Sequence, residues 1–525
     1  MKKELLLLTA LISGSLSFSQ TTGTYETDTN GKLFFQSFNE APPHQSGNPL
    51  GPMDLSLDWS NPDFNISNNP TEDSWDVRLA VGNTGNAYVV YNDNHSNGLQ
   101  KIMFRKKVVG QEWTDAIFVD KGGEIGGRNN HFPAIAASPN GDLHVIYNVW
   151  AMENVRNYIG YSHYDAANDI WSDGLKISDL GGTVNHFNSR HDIYSTADNL
   201  PVVIWGFDFR ENQVNEEIYM KYFDGNDWSA DIAVSDVTDG FDAGFPNIKS
   251  IGSNKALILY SENTGSGAME LRYKIYDEVT HQLSPSKTIT TENIFYNNYV
   301  LATTGTGEVM ILTINKKTGP DRDVLNIYDY DIAGDAFTLS DNTFEVVANA
   351  GGLLKRIDMD CNSGSDCAVI FNDFLAQTNS FLEYSTAGGF GTPFVINEEN
   401  PGFDAPSARF DPNGNLHVVW TDYRFDDGQG FDEREVFYEM GENVNMGTNE
   451  FFSSAIAVFP NPSKGNFTIE TSGSHKLQIY DASGRLIDSK MISGTTHINK
   501  TLSPGTYFLH FKNEKETQVK KIIVK

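Results

Sequence analysis

Cysteine is nearly absent. Cys361 and Cys367 are the only two among 525 residues, which excludes a disulfide-dense scaffold and a multi-thiolate metal site. They flank the short turn NSGSD between strand-like arms, so in an exported chain they read as one local disulfide. Basic residues are scarce too: 38 Lys and Arg face 69 Asp and Glu, for a net charge of −31. Acid on that scale excludes nucleic acid and anionic membrane surfaces as general partners. After the N-terminal segment no apolar run is long enough to span a bilayer. No zinc-ligand spacing, phosphate-binding glycine loop or serine-nucleophile elbow occurs.

What is present begins with a signal. Lys2 and Lys3 precede an apolar run from Leu5, and Ser17 and Ser19 stand just before Gln20. A basic start, a short apolar core and small residues at the cleavage positions make residues 1–19 a secretory signal peptide. No cysteine follows the cleavage point, so a lipid anchor is not expected. Residues 20–56 carry no repeat and receive no role.

One short apolar motif then recurs seven times. AYVVY ends at Tyr91, LHVIY at Tyr147, PVVIW at Trp205, ALILY at Tyr260, VMILT at Thr313, CAVIF at Phe371 and LHVVW at Trp420, at intervals of 56, 58, 55, 53, 58 and 49 residues. Most copies follow a Gly- and Asn-rich hairpin turn such as SPNGD or DPNGN. Each has an apolar strand before it and another after it. A fourth strand closes the unit in DIWSDGLKIS (169–178), NDWSADIAVS (226–235) and, more loosely, QEWTDAIFVD (111–120). Four antiparallel strands per repeat cannot bury both faces alone, so they stack radially as propeller blades. The seventh unit lacks its fourth strand after Tyr438, and LDWSNPDFNIS (57–67) supplies that motif ahead of the first unit. This permutation predicts an all-β, seven-bladed propeller over 57–445, closed by an N-terminal strand.

The tail differs. After a linker at 446–454, residues 455–525 hold ten Lys and Arg against five Asp and Glu. The stretches VFPNPSKGNFTI (458–469), LQIYDASGRLI (477–487), LSPGTYFLHF (502–511) and KKIIVK (520–525) alternate strands with Gly and Pro turns, the pattern of a small β-sandwich. In order and spacing they resemble the C-terminal sorting domain of the type IX secretion system of Bacteroidetes-type bacteria. That resemblance implies contact with the secretion machinery and a secreted or cell-surface location.

Loops leading into each blade share one face with loops joining second and third strands, and propellers usually meet substrates there. Arg128, Arg156, Arg190, Arg210, Arg322, Arg356, Arg424 and Arg434 fall in these loops, eight of the 13 arginines. His95, His131, His186 and His191 join them. A guanidinium-rich mouth on an acidic body suits a carboxylate or sulfate, which Arg grips with two parallel hydrogen bonds. His144 and His417 fill one slot in NGDLHV and NGNLHV, so they read as architecture. His131, His186 and His191 break the repeat, where function is the stronger reading.

His, Arg and Tyr around an acidic sugar suit β-elimination. Arg neutralises the uronate carboxylate, His or Tyr removes the adjacent proton, and a Tyr or second His protonates the leaving oxygen. His131, His191, Arg190 and Tyr299 supply those parts if the lead-in loops converge. Arg128, Trp150, His186, Arg356 and Arg424 are the expected substrate contacts. NNHFPAIAASPNGDLHVIYN (129–148) and the following His/Arg loop resemble the propeller-shaped polysaccharide lyases, including ulvan lyases. The resemblance implies an endo-acting lyase on an anionic polysaccharide, with no required cofactor. Two other readings stay open. A sialidase-like hydrolase fits the Arg, Tyr and Asp supply, although the S-x-D-x-G-x-T-W box of that family is missing. A glycan-binding propeller without catalysis fits the generic VVWTDYR (418–424). Asp426, Asp427, Asp432 and Glu433 are a candidate Ca²⁺ cluster, and a monomer is expected.

Overall fold

The structure is a computed structural model. It describes strand backbones at 23–27 and 33–37, then 57–443 and 457–525, apart from 60–62, 70–72, 95–97, 124, 151–156, 182–190, 209–215, 264, 266–268, 292–293, 295–298, 317–322, 347–353, 374–377, 387, 392, 397–405, 425–433, 460–462, 482–484, 501 and 513–516. The expected signal peptide, the expected linker and the four candidate Ca²⁺ ligands lie outside the described residues. Gly23–Thr27 and Leu33–Ser37 pair as an antiparallel ribbon.

Seven antiparallel meanders follow. Blade one is Ser74–Val81, Ala87–Asn94, Gln100–Lys107 and Ile117–Phe118. Blade two is Asn130–Ala137, Leu143–Val149, Tyr158–Asp165 and a split outer strand, Ile170–Trp171 with Leu175–Lys176. Blade three is His191–Ser195, Pro201–Asp208, Glu216–Tyr222 and Ile232–Ala233. Blade four is Ala243–Gly252, Lys255–Asn263, Met269–Asp277 and Lys287–Thr290. Blade five is Tyr299–Thr303, Val309–Lys316, Asp323–Asp331 and Ala336–Val346. Blade six is Leu354–Cys361, Asp366–Asp373, Thr378–Ser385 and Gly389–Phe390 with Phe394–Val395. Blade seven is Ser407–Phe410, Leu416–Asp422 and Glu435–Asn443.

The hairpin turns explain the repeat's punctuation. In SPNGD the Ser138 N–H reaches the Asp142 carbonyl at 2.8 Å, and Gly141 takes φ 95°. In DPNGN the Asp411 N–H reaches the Asn415 carbonyl at 2.9 Å, with Gly414 at φ 80°. A side chain at either glycine would be strained. The second strands read as unbroken apolar runs because both of their faces are covered. Tyr88 and Val90 pack toward blade two, while Val89 and Tyr91 pack toward blade seven. Seven apolar clusters result, one at each join between neighbouring blades.

The ring is closed. Each first strand touches the first strand of the next blade, and Ser407–Phe410 of blade seven returns to Ser74–Val81 of blade one. The N-terminal segment completes blade seven: Leu57 pairs with Asn443, Asp58 with Glu442, Phe64 with Tyr438 and Asn65 with Phe437. Around the axis, carboxylates of one blade accept backbone N–H groups of the next. Asp192 takes Ile248, Asp358 takes Ala408 and Asp360 takes Phe410, each at 2.9 Å. Arg409 donates to Asp358 at 2.7 Å, and Lys249 meets Asp360 at 3.2 Å.

Cys361 and Cys367 face each other across one hairpin and form the disulfide. The hairpins of blades five and six dock beside it. The Gly305 N–H lies 3.0 Å from the Gly364 carbonyl, and a Cβ on Gly305 would meet the Ser363 carbonyl oxygen at 2.2 Å. Gly305→Ala is therefore expected to destabilise by about 1–3 kcal/mol through overpacking. A denaturant titration checks this, with Gly127→Ala, where an added Cβ meets open space and φ is not positive, as the comparison; an unshifted Gly305→Ala midpoint would refute the close approach.

The second compact unit, Asn445–Lys525, holds its own sheet. Asn466–Asp481 pairs with Ala457–Phe459, Leu486–Asn499 and Gly505–Lys512, and the last of these pairs with Thr517–Val524. Its register with Leu486–Asn499 shifts between Thr471 and His475. Phe467, Ile469, Leu477, Ile479, Leu509, Phe511 and Ile522 form its core.

Candidate functional site

Blade two opens with Asn130, His131 and Phe132, and the fold holds this turn tightly. Asn92, buried at the end of blade one's second strand, donates from Nδ2 to the Asn130 carbonyl at 2.8 Å. Its Oδ1 accepts the Phe132 N–H at 2.8 Å. The Asn130 side chain donates to Asp120 at 2.6 Å. Phe132 sits at φ 54°, a region bulky side chains rarely enter. The ladder slips at the same point, between Ile146 and Asn148. A bulge of this kind re-aims backbone groups, and His191 Nε2 of blade three meets the Phe132 carbonyl at 2.6 Å. His131 is buried opposite Asn148, with its ring 5.0 Å from that of the half-buried Trp150. Phe132 thus joins the His131–Trp150 pair of blade two to His191 of blade three.

The hydrogen bond sets the state of His191. A carbonyl only accepts, so Nε2 carries the hydrogen and Nδ1 keeps a lone pair. Nδ1 is buried without a protein partner. Burial pushes the ring's pKa down to about 4, so the imidazole is neutral at physiological pH.

Tyr299 occupies the matching position in blade five. It is buried, and its hydroxyl donates to the Phe245 carbonyl at 2.8 Å. Phe245 also precedes a proline and also has a positive φ, 57°. His191 and Tyr299 therefore make the same stitch between neighbouring blades. The structure places Tyr299 at the join of blades four and five, away from the two histidines, with its one hydroxyl hydrogen committed to packing.

The arginines divide. Arg424 bonds Asp63 at 2.7 Å and Asp422 at 2.6 Å, and its guanidinium lies 3.9 Å from the centre of the Phe437 ring. Arg434 grips Asp73 through two hydrogen bonds and covers the Trp75 ring at 4.8 Å. These two hold the fold rather than an open mouth, which corrects the expectation of Arg424 as a substrate contact. Arg128 is half-buried just before the His131 turn, and its carbonyl accepts from Lys101 at 3.1 Å. Arg356 lies in the first strand of blade six, and its side chain lies outside the described residues, as do Arg190, His186, His95, Arg156, Arg210 and Arg322.

Three buried carboxylates escaped sequence reasoning. Glu217 accepts from the Ser235 hydroxyl at 2.5 Å. Burial, and then the negative field of Asp239, Glu262 and Asp236, push its pKa up to about 7. Glu262, paired with Arg272, is also raised by burial. Asp120, which meets Lys101 at 3.6 Å, is pushed up to about 6 by burial. The available signal was the pair of acids opening EEIYMKY, a strand buried along most of its length. The two repeated histidines make matching bonds: His144 Nδ1 meets the Tyr161 hydroxyl at 2.7 Å, and His417 Nδ1 meets the Tyr438 hydroxyl at 2.8 Å. Among the described residues no group of three or more His, Cys, Asp and Glu side chains could hold a metal ion, and no helix is long and apolar enough to cross a membrane.

No curated protein sequence matches this chain. Solved structures that resemble it include the polysaccharide lyase Uly1, at 10% identity over 71% of this chain and 90% of that one, TM-score 0.45. The Hadza microbial sialidase Hz136 aligns at 11% identity over 62% and 68%, TM-score 0.43. The GH93 α-L-arabinofuranosidase of Fusarium graminearum aligns at 11% identity over 73% and 98%, TM-score 0.43. Function must be argued from this chain's own side chains. The tail is more specific: residues 457–525 match the family described as the secretion system C-terminal sorting domain, which marks this chain for type IX export to the cell surface or beyond.

Proposed function

We propose that the chain is an exported enzyme that cleaves an anionic, uronate-containing polysaccharide by β-elimination at the join of blades two and three. The observation that carries this reading is His191, neutral, tautomerically fixed and joined through Phe132 to a histidine whose ring lies tilted against a tryptophan at 5.0 Å. A base must be unprotonated to work, and His191 stays so down to about pH 4. In the proposed reaction an imidazole takes the C5 proton and the bond from C4 to the glycosidic oxygen breaks. The electron pair forms the C4–C5 double bond, and the departing oxygen takes a proton from the second imidazole. Arg190 and Arg128 are the proposed partners of the carboxylate, and Trp150 stacks on the sugar ring. Tyr299 and Arg424 have no part, because the Tyr299 hydroxyl hydrogen is already given to the Phe245 carbonyl and the Arg424 guanidinium is buried against Asp63 and Asp422.

A second reading rests on Glu217. A carboxyl that stays protonated near neutral pH is what a glycosidase acid needs. Hydrolysis and elimination leave different products. The purified propeller is incubated with ulvan and other uronate polymers, and ultraviolet absorbance of the unsaturated product is followed alongside reducing ends. Elimination predicts both signals, and His131→Ala and His191→Ala each lower turnover by about 10²-fold or more, while His417→Ala leaves it intact. The rate should stay level as pH falls through the ordinary histidine range and drop only toward pH 4. Reducing ends without absorbance would move the reaction to Glu217, and no product on any polymer would sink both enzymatic readings.

A further inference from the structure

We infer that Asn92 is a positioning residue for the His131–His191 pair. This rests on the reaction proposed above. Asn92 fills the slot directly after the repeated apolar motif of blade one. The same slot holds Asn148, Gly206, Ser261, Ile314, Asn372, and Thr421 in the later blades. Among these, Asn148 has both amide atoms buried without a partner, and so does the Thr421 hydroxyl. Gly206 has no side chain, yet the Phe245 turn of the following blade still forms at φ 57°. A clamp is therefore not a general requirement of the repeat or of a Phe-Pro turn.

The Phe245 turn receives a single bond from a slot residue, from the Ser261 hydroxyl of its own blade to the Gly244 carbonyl at 3.2 Å. Among the described residues, the His131 turn alone is held by the slot residue of the preceding blade, and from both sides. Asn92 Nδ2 holds the carbonyl before His131, and Asn92 Oδ1 holds the N–H after it. His131 is pinned between these two 2.8 Å bonds. The next carbonyl along, that of Phe132, selects the His191 tautomer at 2.6 Å. Asn92 thus acts on both imidazoles while touching neither ring by hydrogen bond. Freeing the turn lets the Phe132 carbonyl wander, and His191 then loses the acceptor that keeps its hydrogen on Nε2.

The test uses the full chain with ¹⁵N-labelled histidine, His191 being assigned by its loss in His191→Gln. In the parent protein His191 should show one protonated and one unprotonated nitrogen, well separated. Asn92→Ala should draw the two signals together. It should also lower kcat by about 10- to 100-fold while KM stays within about twofold. Asn92→Asp keeps the acceptor for Phe132 and loses the donor to Asn130, so it should fall between; it also serves if Asn92→Ala does not fold. Thr421→Ala, the same slot in blade seven, should change neither signature. Unchanged His191 signals in a folded Asn92 variant would overturn the assignment. Absence of turnover in the parent protein would refute the reaction instead, and the tautomer signals would still decide the role of Asn92.

Discussion

A chain lacking residues 57–69 is expected to lose the propeller's cooperative thermal transition, not merely shift it. That segment supplies the outer strands of blade seven, and its Ile66 N–H reaches the Val436 carbonyl at 2.7 Å. Ile66 has no exposed surface and belongs to the cluster between blades seven and one. Two charged groups depend on the same segment. Arg424 pairs with Asp63, and Glu435 is held by the Ser67 hydroxyl and by the Asn69 N–H at 2.9 Å. Removing one partner of a buried charge costs about 3–5 kcal/mol. Two such losses plus the exposed apolar edge approach the roughly 5–15 kcal/mol that holds a domain together. Calorimetry with limited proteolysis checks this, and adding the 57–69 peptide in trans should partly restore the transition. A truncated chain that melts like the parent would show that blade seven stands without its fourth strand.

Arg409→Met is expected to cost about 1.5–3 kcal/mol, the loss of a charge-assisted hydrogen bond, through the axis instead of the rim. Arg409 donates to Asp358 at 2.7 Å and lies in the field of Asp360 and Asp192. All three of these carboxylates already accept a backbone N–H from the next blade, so they cannot turn to solvent without breaking the ring's stitches. Methionine fills much of the volume, so the loss isolates the charge. Adding Asp358→Asn removes one uncompensated carboxylate and keeps an acceptor for the Ala408 N–H. The double variant should recover a substantial part of the loss in a denaturant titration. A double variant as unstable as Arg409→Met alone would mean that shape, not charge, decides at this position.

These two results probe different layers of what could be read in advance. Blade number, strand order and the permuted closure were legible because each depends on local pattern: an apolar run, a Gly turn and a Trp-containing outer strand. The disulfide was legible for the same reason, since a single hairpin joins its cysteines. Contacts between blades were not. The arginine count pointed to an open basic mouth, but Arg424 and Arg434 each find an aspartate 361 positions earlier, Asp63 and Asp73. Nothing near either arginine announces that partner. His191 and Tyr299 look unrelated in sequence, yet each caps a Phe carbonyl of the preceding blade. Their equivalence appears only once the first strands are laid side by side. Glu217 and Asp120 owe their raised pKa values to burial under neighbouring strands, which composition does not encode.

The closure of blade seven also sets a clock. Ser67 and Glu435, which bond across the seam, are separated by 368 positions. The propeller's own earliest strands, Leu57–Asp58 and Phe64–Asn65, must wait for their partner Glu435–Asn443 until nearly the whole propeller has been synthesised. Pairings that distant form slowly, because a large loop has to be gathered before any contact rewards it. Once sealed, the same seam removes the free ends from which a linear stack would fray. A ring of this kind is slow to finish and slow to come apart, a useful pairing of traits for a protein sent outside the cell, beyond the reach of chaperones.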